Sequence, residues 1–449
     1  MRNNQSPRIL FVALAVEVMI ALFFLIFRGG LGTVFTIFLL FIFIGGGLFL
    51  LARNGMLSLD WFDSHHYNHH NHNNDKGWTN ISWSGPTQPE PASGGSGNDF
   101  NLNVGLNINP GLERQETFEQ EFPITVDIKA LQVDVNNGNL KVVGEAGLTQ
   151  IRLNAVKRVW ERDESSVRRE FDRLQVRSRQ EGQLLIIEAG QFDNLASSLG
   201  FSLNLGKSPR IDLELVVPPA LAASFATNIG SLEVRELESE IAARTIAGPI
   251  NIKNINGGRN LTIGTQSGRI IMQQITAGFL RARATTGILD LTALGADAIE
   301  LETMAGNVQV RGVNCGRLAV NAATGSIELT DINADGVLQL KATAGRIQTN
   351  NIRAATLNIE TTTGTIRYRG SAPTAPSTVQ TGVGSTELIF APGANFQLEA
   401  RSNIGSVQVL LPVSQTFTTN QNWFRGQIGA GGPLLKVSSQ VGSVRISQD

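Results

Sequence analysis

The sequence predicts an all-β fold, a solenoid of stacked coils with about 19–20 residues per coil, preceded by a two-helix transmembrane hairpin. Three observations lead there. Ten glycines, Gly230, Gly248, Gly268, Gly287, Gly306, Gly325, Gly345, Gly364, Gly384 and Gly405, recur every 18 to 21 residues. Apolar residues then alternate. Two positions after the glycine stand Leu232, Ile250, Ile270, Leu289, Val308, Ile327, Ile347, Ile366 and Val407, with Thr386 the exception, and four positions after it stand Val234, Ile252, Met272, Leu291, Val310 and Leu329. A fixed long period with strand-type alternation inside it marks units that bury their inner faces on one another. The third observation is a pair of 19-residue apolar stretches at 9–27 and 34–52.

Residues 1–53 form the expected anchor. Each apolar stretch is long enough to cross a bilayer, and Trp61, Trp78 and Trp83 follow where an interfacial belt would lie. The first stretch is longer than a signal-peptide core, holds Glu17 and lacks a small-residue cleavage site, so two retained spans are expected. Glu17 is either a functional group or a protonated or paired residue at a helix interface. Gly45, Gly46 and Gly47 would let helices approach closely, which offers a homo-oligomer through the spans. A two-pass chain in the cell membrane has both ends on one side. Arg2, Arg8 and Arg53 outside the hairpin loop against Arg28 within it weigh toward a cytoplasmic solenoid.

Residues 54–115 read as a disordered linker, His-rich and then rich in Gly, Ser and Pro. All five histidines, His65, His66, His69, His70 and His72, fall in this stretch. They are the candidate metal ligands, a loose transition-metal site or a low-complexity spacer. With no histidine left for the repeats, a His-based triad or His-ligated centre there is excluded. Cys315, the only cysteine, excludes an internal disulfide. A net charge of -1 and the lack of a basic stripe give no reason to expect nucleic acid, and no cofactor is implied.

Residues 116–225 are expected to hold mixed first coils and a cap with a short helix. Val133, Val135, Leu140 and Val142 bracket the turn Asn136-Asn137-Gly138, and Ile151, Leu153, Ala155 and Val159 mark another strand. The stretch 163–174 reads as a helix, with Asp163 or Ser165 as cap and Val167, Phe171 and Leu174 on one face. Strands return at 184–187 and 211–217. Irregular material at the start of a solenoid covers an edge that would otherwise pair with another chain. Residues 226–449 carry the repeats and a C-terminal closing coil at Gly442, Val444 and Ile446. Most repeat glycines are closely preceded by a Thr (Thr227, Thr245, Thr265, Thr303, Thr343, Thr361, Thr381) or by Ser402, a corner device whose hydroxyl can satisfy a local backbone group.

The strand 150–160, the charged helix after it, the stretches 184–188 and 211–218, and the repeated Thr-x-x-Gly units with alternating apolar residues resemble the bacterial putative-adhesin family, a domain of unknown function. They are also similar to the head domains of auto-transporter adhesins. The resemblance covers residues 120–449. It implies a right-handed parallel β-helix, often tethered to the membrane in envelope proteins, and it implies no enzyme. It also suggests an extracytoplasmic solenoid, against the arginine bias, and offers no catalytic residues to carry over.

Some parallel β-helices act on polysaccharides, so the outward columns matter. Three positions after the glycine stand Glu233, Asn251, Ile271, Asp290, Gln309, Glu328, Gln348, Arg367, Glu387 and Gln408. Asp290 and Glu328 fall two coils apart with Gln309 between, a polar ladder and not the carboxylate pair of a glycosidase. Arg235, Lys253 and Arg311 could grip an anionic glycan or simply solvate a face. Asp331, Asn333, Asp335 and Gly336 match the start of a calcium loop, but Ala342 stands where the bidentate Glu belongs, so a coil corner is expected. The expected function is a membrane-anchored, adhesin-like, non-enzymatic binding or scaffold protein of the cell envelope, its partners the lipid bilayer and a protein or glycan ligand. The alternatives are an envelope-stress sensor or regulator whose solenoid binds a protein or lipid ligand, and a polysaccharide-active enzyme.

Overall fold

The structure, a computed structural model, describes residues 79–80, 112–123, 128–192 and 208–449, all within the unit Lys76–Asp449. The predicted spans at 9–27 and 34–52, Glu17 and the histidine tract lie outside the described residues. Among the described residues, no helix is long and apolar enough to cross a membrane.

Alternation builds the solenoid. The positions two and four residues after the repeat glycines from Gly230 to Gly384 point inward and are buried, as in Ile270 and Met272, Leu289 and Leu291, or Val308 and Val310, while Val407 and Val409 on the last rung are half-buried. They pair in parallel register from coil to coil, Ile250 on Ile270 on Leu289 on Val308 on Ile327. Each coil adds further inward residues, such as Ile275, Ala277, Leu280, Ala282 and Ala284 between Met272 and Gly287. One aliphatic core therefore runs through the stack, and each rung depends on its neighbours to keep its inner face dry.

The repeat glycines form a spine for a steric reason. A Cβ on Gly325 would run into the carbonyl oxygen of Gly306, one on Gly345 into that of Gly325, and one on Gly364 into that of Gly345. Gly138 and Gly442 belong to the same column, so twelve glycines stack in it. Six residues further on, a second corner repeats: Glu236, Asn254, Gln274, Ala293, Gly312, Asp331 and Asn351 all have φ between 54° and 63°. Asp331 is thus a left-handed corner residue, and its Oδ1 accepts a 2.6 Å hydrogen bond from Asn351 Nδ2 in the next rung.

The threonine column is correct in outline and wrong at one rung. Thr227, Thr245, Thr265, Thr303, Thr361, Thr381 and Ser402 are buried, but at the Gly345 rung the column position is the buried Ala342, and Thr343 faces solvent. Nor do the bonded hydroxyls satisfy local backbone groups: Thr381 Oγ1 shares a 2.6 Å hydrogen bond with the Thr386 hydroxyl, and the others reach further. Thr227 Oγ1 donates to the carbonyl of Gly138 at 3.1 Å and Ser402 Oγ to that of Gly442 at 2.8 Å, each across to the neighbouring rung. The hydroxyls of Thr245, Thr265, Thr303 and Thr361 find no hydrogen-bond partner among the described residues.

Rung order departs from chain order at both ends. The rung formed by Ala130–Asn137 and Leu140–Gly144 pairs on one side with Leu184–Gln191 and Arg210–Val217, and on the other with Ala222–Ile229 and Leu232–Arg235. The far end mirrors this arrangement. The expected closing coil, Leu434–Val441 with Val444–Gln448, is inserted between the rung of Ser377–Val383 and Thr386–Phe390 and the rung of Phe396–Ile404 and Val407–Leu410. Rungs with the same inward alternation and the same glycine are interchangeable neighbours, so a long excursion lets a later rung slip inside an earlier one.

Antiparallel strands finish the stack. At the first end, Gln150–Glu161 pairs with Arg210–Val217, and Leu112–Pro123 pairs in turn with Gln150–Glu161. The helix Glu164–Arg173 follows, its N-cap Asp163 accepting from the Ser166 amide, with Val167 buried and Phe171 packed on the core. Leu112–Pro123 begins inside the predicted linker, as does Thr79–Asn80, which adds to the edge of Leu174–Glu181. At the other end, the hairpin of Val413–Thr419 and Trp423–Ile428 continues from Phe396–Ile404.

Candidate interaction surfaces

The outward columns form ladders of opposite charge. Asp290, Gln309 and Glu328 occupy successive rungs in register, and Asp290 is ion-paired with Arg269. The two carboxylates named by the sequence are therefore held apart by a whole rung. Further along that face Arg367 meets Glu387 at 3.3 Å, and near its start Lys141 meets Glu214 at 2.6 Å. On another face Arg281 pairs with Glu300 at 2.6 Å, Arg283 with Glu302 at 2.7 Å and Lys341 with Glu360 at 3.2 Å. Of the three cations offered for an anionic glycan, Arg235 and Lys253 are adjacent, while Arg311 lies three rungs beyond Lys253. Arg235 is already 3.5 Å from Glu233.

The perturbed titratable groups serve the core and the cap. Burial, followed by the neighbouring carboxylate of Asp134, raises the Glu188 pKa. Lys157 is 2% exposed and its pKa is lowered by burial, opposed by Glu116 at 3.7 Å. Its ammonium donates to the carbonyl of Phe171 at 3.2 Å and so ties the first-end strands to the last turn of the helix. Burial, with Asp335 adding to it, pushes the Cys315 thiol up to about 11, which keeps it protonated and inert. Tyr368 is also raised by burial, and its hydroxyl donates to the Ser371 carbonyl at 2.7 Å.

One surface differs in kind. Ten large hydrophobic side chains are exposed among the described residues, and seven of them, Val383, Ile404, Leu410, Val413, Phe417, Trp423 and Val441, lie at the second end of the stack. Val383, Val441 and Ile404 sit in register on three adjacent rungs. The other four belong to the last rung and its hairpin. Through this region, 402–424, there is no charged residue. Gly405, Ser406, Asn420, Gln421 and Asn422 line an open cleft of about 700 Å³ beside it. Among the described residues, Val407–Leu410 pairs only with Val444–Gln448 and Val413–Thr419 only with Trp423–Ile428, so neither has a strand on its outer edge, although the Val407 amide donates to the Gln421 carbonyl at 3.0 Å. The outermost strand of the opposite end, Leu112–Pro123, pairs only with Gln150–Glu161 among the described residues, but it is charged, with Glu113, Arg114, Glu119 and Glu121 exposed. The sequence reading missed this asymmetry, although the charge-free run 402–424 was there to be seen.

A family model, described as Toastrack DUF4097, matches residues 260–447. No curated protein matches the chain. Among solved structures, a putative cell adhesion protein from Clostridium sporogenes aligns at 10% identity over 74% of this chain and 100% of its own, with a TM-score of 0.17. A putative adhesin from Bacteroides fragilis aligns at 11% identity over 74% of this chain and 97% of its own, with a TM-score of 0.28. A putative lipid binding protein from Parabacteroides distasonis aligns at 13% identity over 56% of this chain and 93% of its own, with a TM-score of 0.33. Likeness this distant transfers no ligand and no activity. The repeat region of this chain, residues 260–447, is thus matched to Toastrack DUF4097, the adhesin-like domain of unknown function that its glycine cassettes resemble.

Proposed function

We propose that this chain is a membrane-anchored, right-handed β-solenoid that acts as an adhesin-like binding or scaffold protein of the bacterial cell envelope and catalyses no reaction. The observation that carries the reading is the gathering of exposed apolar side chains at one end of a regular stack, around the charge-free run 402–424. Large exposed apolar patches on a folded protein mark sites that another surface covers, whereas the lateral ladders pair many of their charges within the chain, as in Arg281 with Glu300 and Arg283 with Glu302. The apolar stretches 9–27 and 34–52 supply the anchor in this reading, and a protein or glycan ligand is the partner.

Protease added to intact cells tests it, with spheroplasts and lysed cells as the comparison. Digestion of the solenoid in intact cells or spheroplasts is the expected result. Protection there, with digestion only after lysis, overturns the adhesin reading in favour of a cytoplasmic sensor, the orientation favoured by Arg2, Arg8 and Arg53. Binding of the full chain to a glycan array, with Phe417→Asp as the control, then asks whether the apolar end takes a sugar.

A further inference from the structure

We infer that the apolar end is a self-association surface on which a second copy of this chain docks, end to end; this rests on the binding role given above to that end. Two strands there have no strand on their outer edge, Val407–Leu410 and Val413–Thr419, and of the first only the Val407 amide is taken, by the Gln421 carbonyl at 3.0 Å. At every interior rung the same kind of edge is filled by another strand, and backbone donors and acceptors on an open edge are a template for one. The two register shifts along Val413–Thr419 bend that strand, so the straight edge Val407–Leu410 does the pairing. Leu410, Val413 and Phe417 form the apolar rim that becomes buried around it.

Charge selects the occupant. A two-fold interface brings each residue close to its own counterpart, where like charges would repel, and 402–424, which holds the pairing edge and its apolar rim, carries none, its flanking charges being Arg401 and Arg425. The first end also has an open edge, Leu112–Pro123, but that strand carries Glu113, Arg114, Glu116, Glu119 and Glu121, charges that would lose their water against the apolar end, so it does not serve as the partner. Head-to-tail growth into a filament is therefore blocked, and association closes at two copies.

The test uses the full chain in membranes, with Gln408→Cys at the apolar end and Gln115→Cys on the charged strand, each oxidised with copper phenanthroline. The wild-type chain, whose Cys315 is buried, gives the background. The expected result is loss of the monomer band to a covalent dimer for Gln408→Cys and retention of the monomer for Gln115→Cys. Adding Phe417→Asp, or independently Leu410→Glu, to Gln408→Cys should abolish the dimer while the protease-resistant solenoid fragment persists. A monomeric Gln408→Cys chain, or equal cross-linking at both ends, overturns self-association. If that chain stays monomeric and Phe417→Asp still abolishes retention on an array glycan, the end binds another partner: the proposed function stands and the dimer fails.

Discussion

Val441 lies in parallel register on Val383 and carries Ile404 on its other face, so a rung that comes later in the chain separates two that come earlier. Deleting 434–449 removes an internal layer. Amide hydrogen exchange should then accelerate throughout 396–428, while 250–344 keeps its protection because repeat stability is local to neighbouring rungs. Unchanged protection of 396–428 would show that this segment holds without the inserted rung.

The glycine spine makes a paired prediction. Gly325→Ala places a methyl group against the Gly306 carbonyl at a position with φ 130°, and should cost about 3 kcal/mol or more. Gly264 has open space around its missing Cβ and no left-handed φ, so Gly264→Ala should stabilise by about 0.4–1 kcal/mol through the unfolded chain. Chemical denaturation followed by circular dichroism separates the two, and equal effects would mean that the column is not a steric device.

Buried hydroxyls with and without partners should respond oppositely. Thr303 Oγ1 has no partner among the described residues, and Thr303→Val should be neutral or stabilise by about 1 kcal/mol. Thr227 Oγ1 donates to Gly138, and Thr227→Val should destabilise by about 1 kcal/mol. Thermal unfolding of the two variants side by side checks the sign.

Ala293 holds φ 58° in a column where the next rung has Gly312. A left-handed backbone strains any residue with a Cβ, so Ala293→Gly should raise stability by about 0.5–1 kcal/mol, the reverse of the usual glycine effect within a strand. A lower unfolding midpoint for this variant would contradict the corner assignment.

The raised pKa of Glu188 has a definite sign. Burial and Asp134 favour its protonated form in the fold, so the folded state binds the proton more tightly than the unfolded chain does. On this group's account, stability is greatest below the unfolded pKa and falls as pH rises through the folded pKa. Glu188→Gln should therefore raise stability at neutral pH and leave it unchanged near pH 3, as urea midpoints at the two pH values will show.

Much of this architecture was legible because period and alternation report local geometry directly. The inward column from Leu232 to Ile366 and the helix after Asp163 follow from side-chain spacing and capping chemistry. The second corner was legible at Asp331 but not as a column, because a left-handed φ there is met by Glu, Asn, Gln, Ala, Gly and Asp in turn, with no shared residue type to read. Rung order escaped for a different reason. Val444 fits against Thr386 or Val407 equally well as an inward residue, so only three-dimensional stacking decides which neighbours it has. The apolar end was hidden by averaging: Ile404 and Phe417 look like core residues in a one-dimensional alternation, whereas Ile404, like Val383 and Val441, stands in the outward column just before the repeat glycine that Ser267, Thr286 and Thr324 fill on other rungs.

The inserted rung also bears on synthesis. A ribosome delivers the chain from the N-terminus, and the interior from Gly248 to Gly364 can accrete in order as each coil emerges. The segment 396–428 cannot take its final seat at that moment, because the layer beneath it, 434–448, has not yet been made. Those last strands work as a keystone. A nascent chain that stalls anywhere between them and Leu410 holds nearly every coil yet leaves the strand Thr386–Phe390 bare, and that unfinished edge, uncovered only during translation, is where a chaperone would be needed.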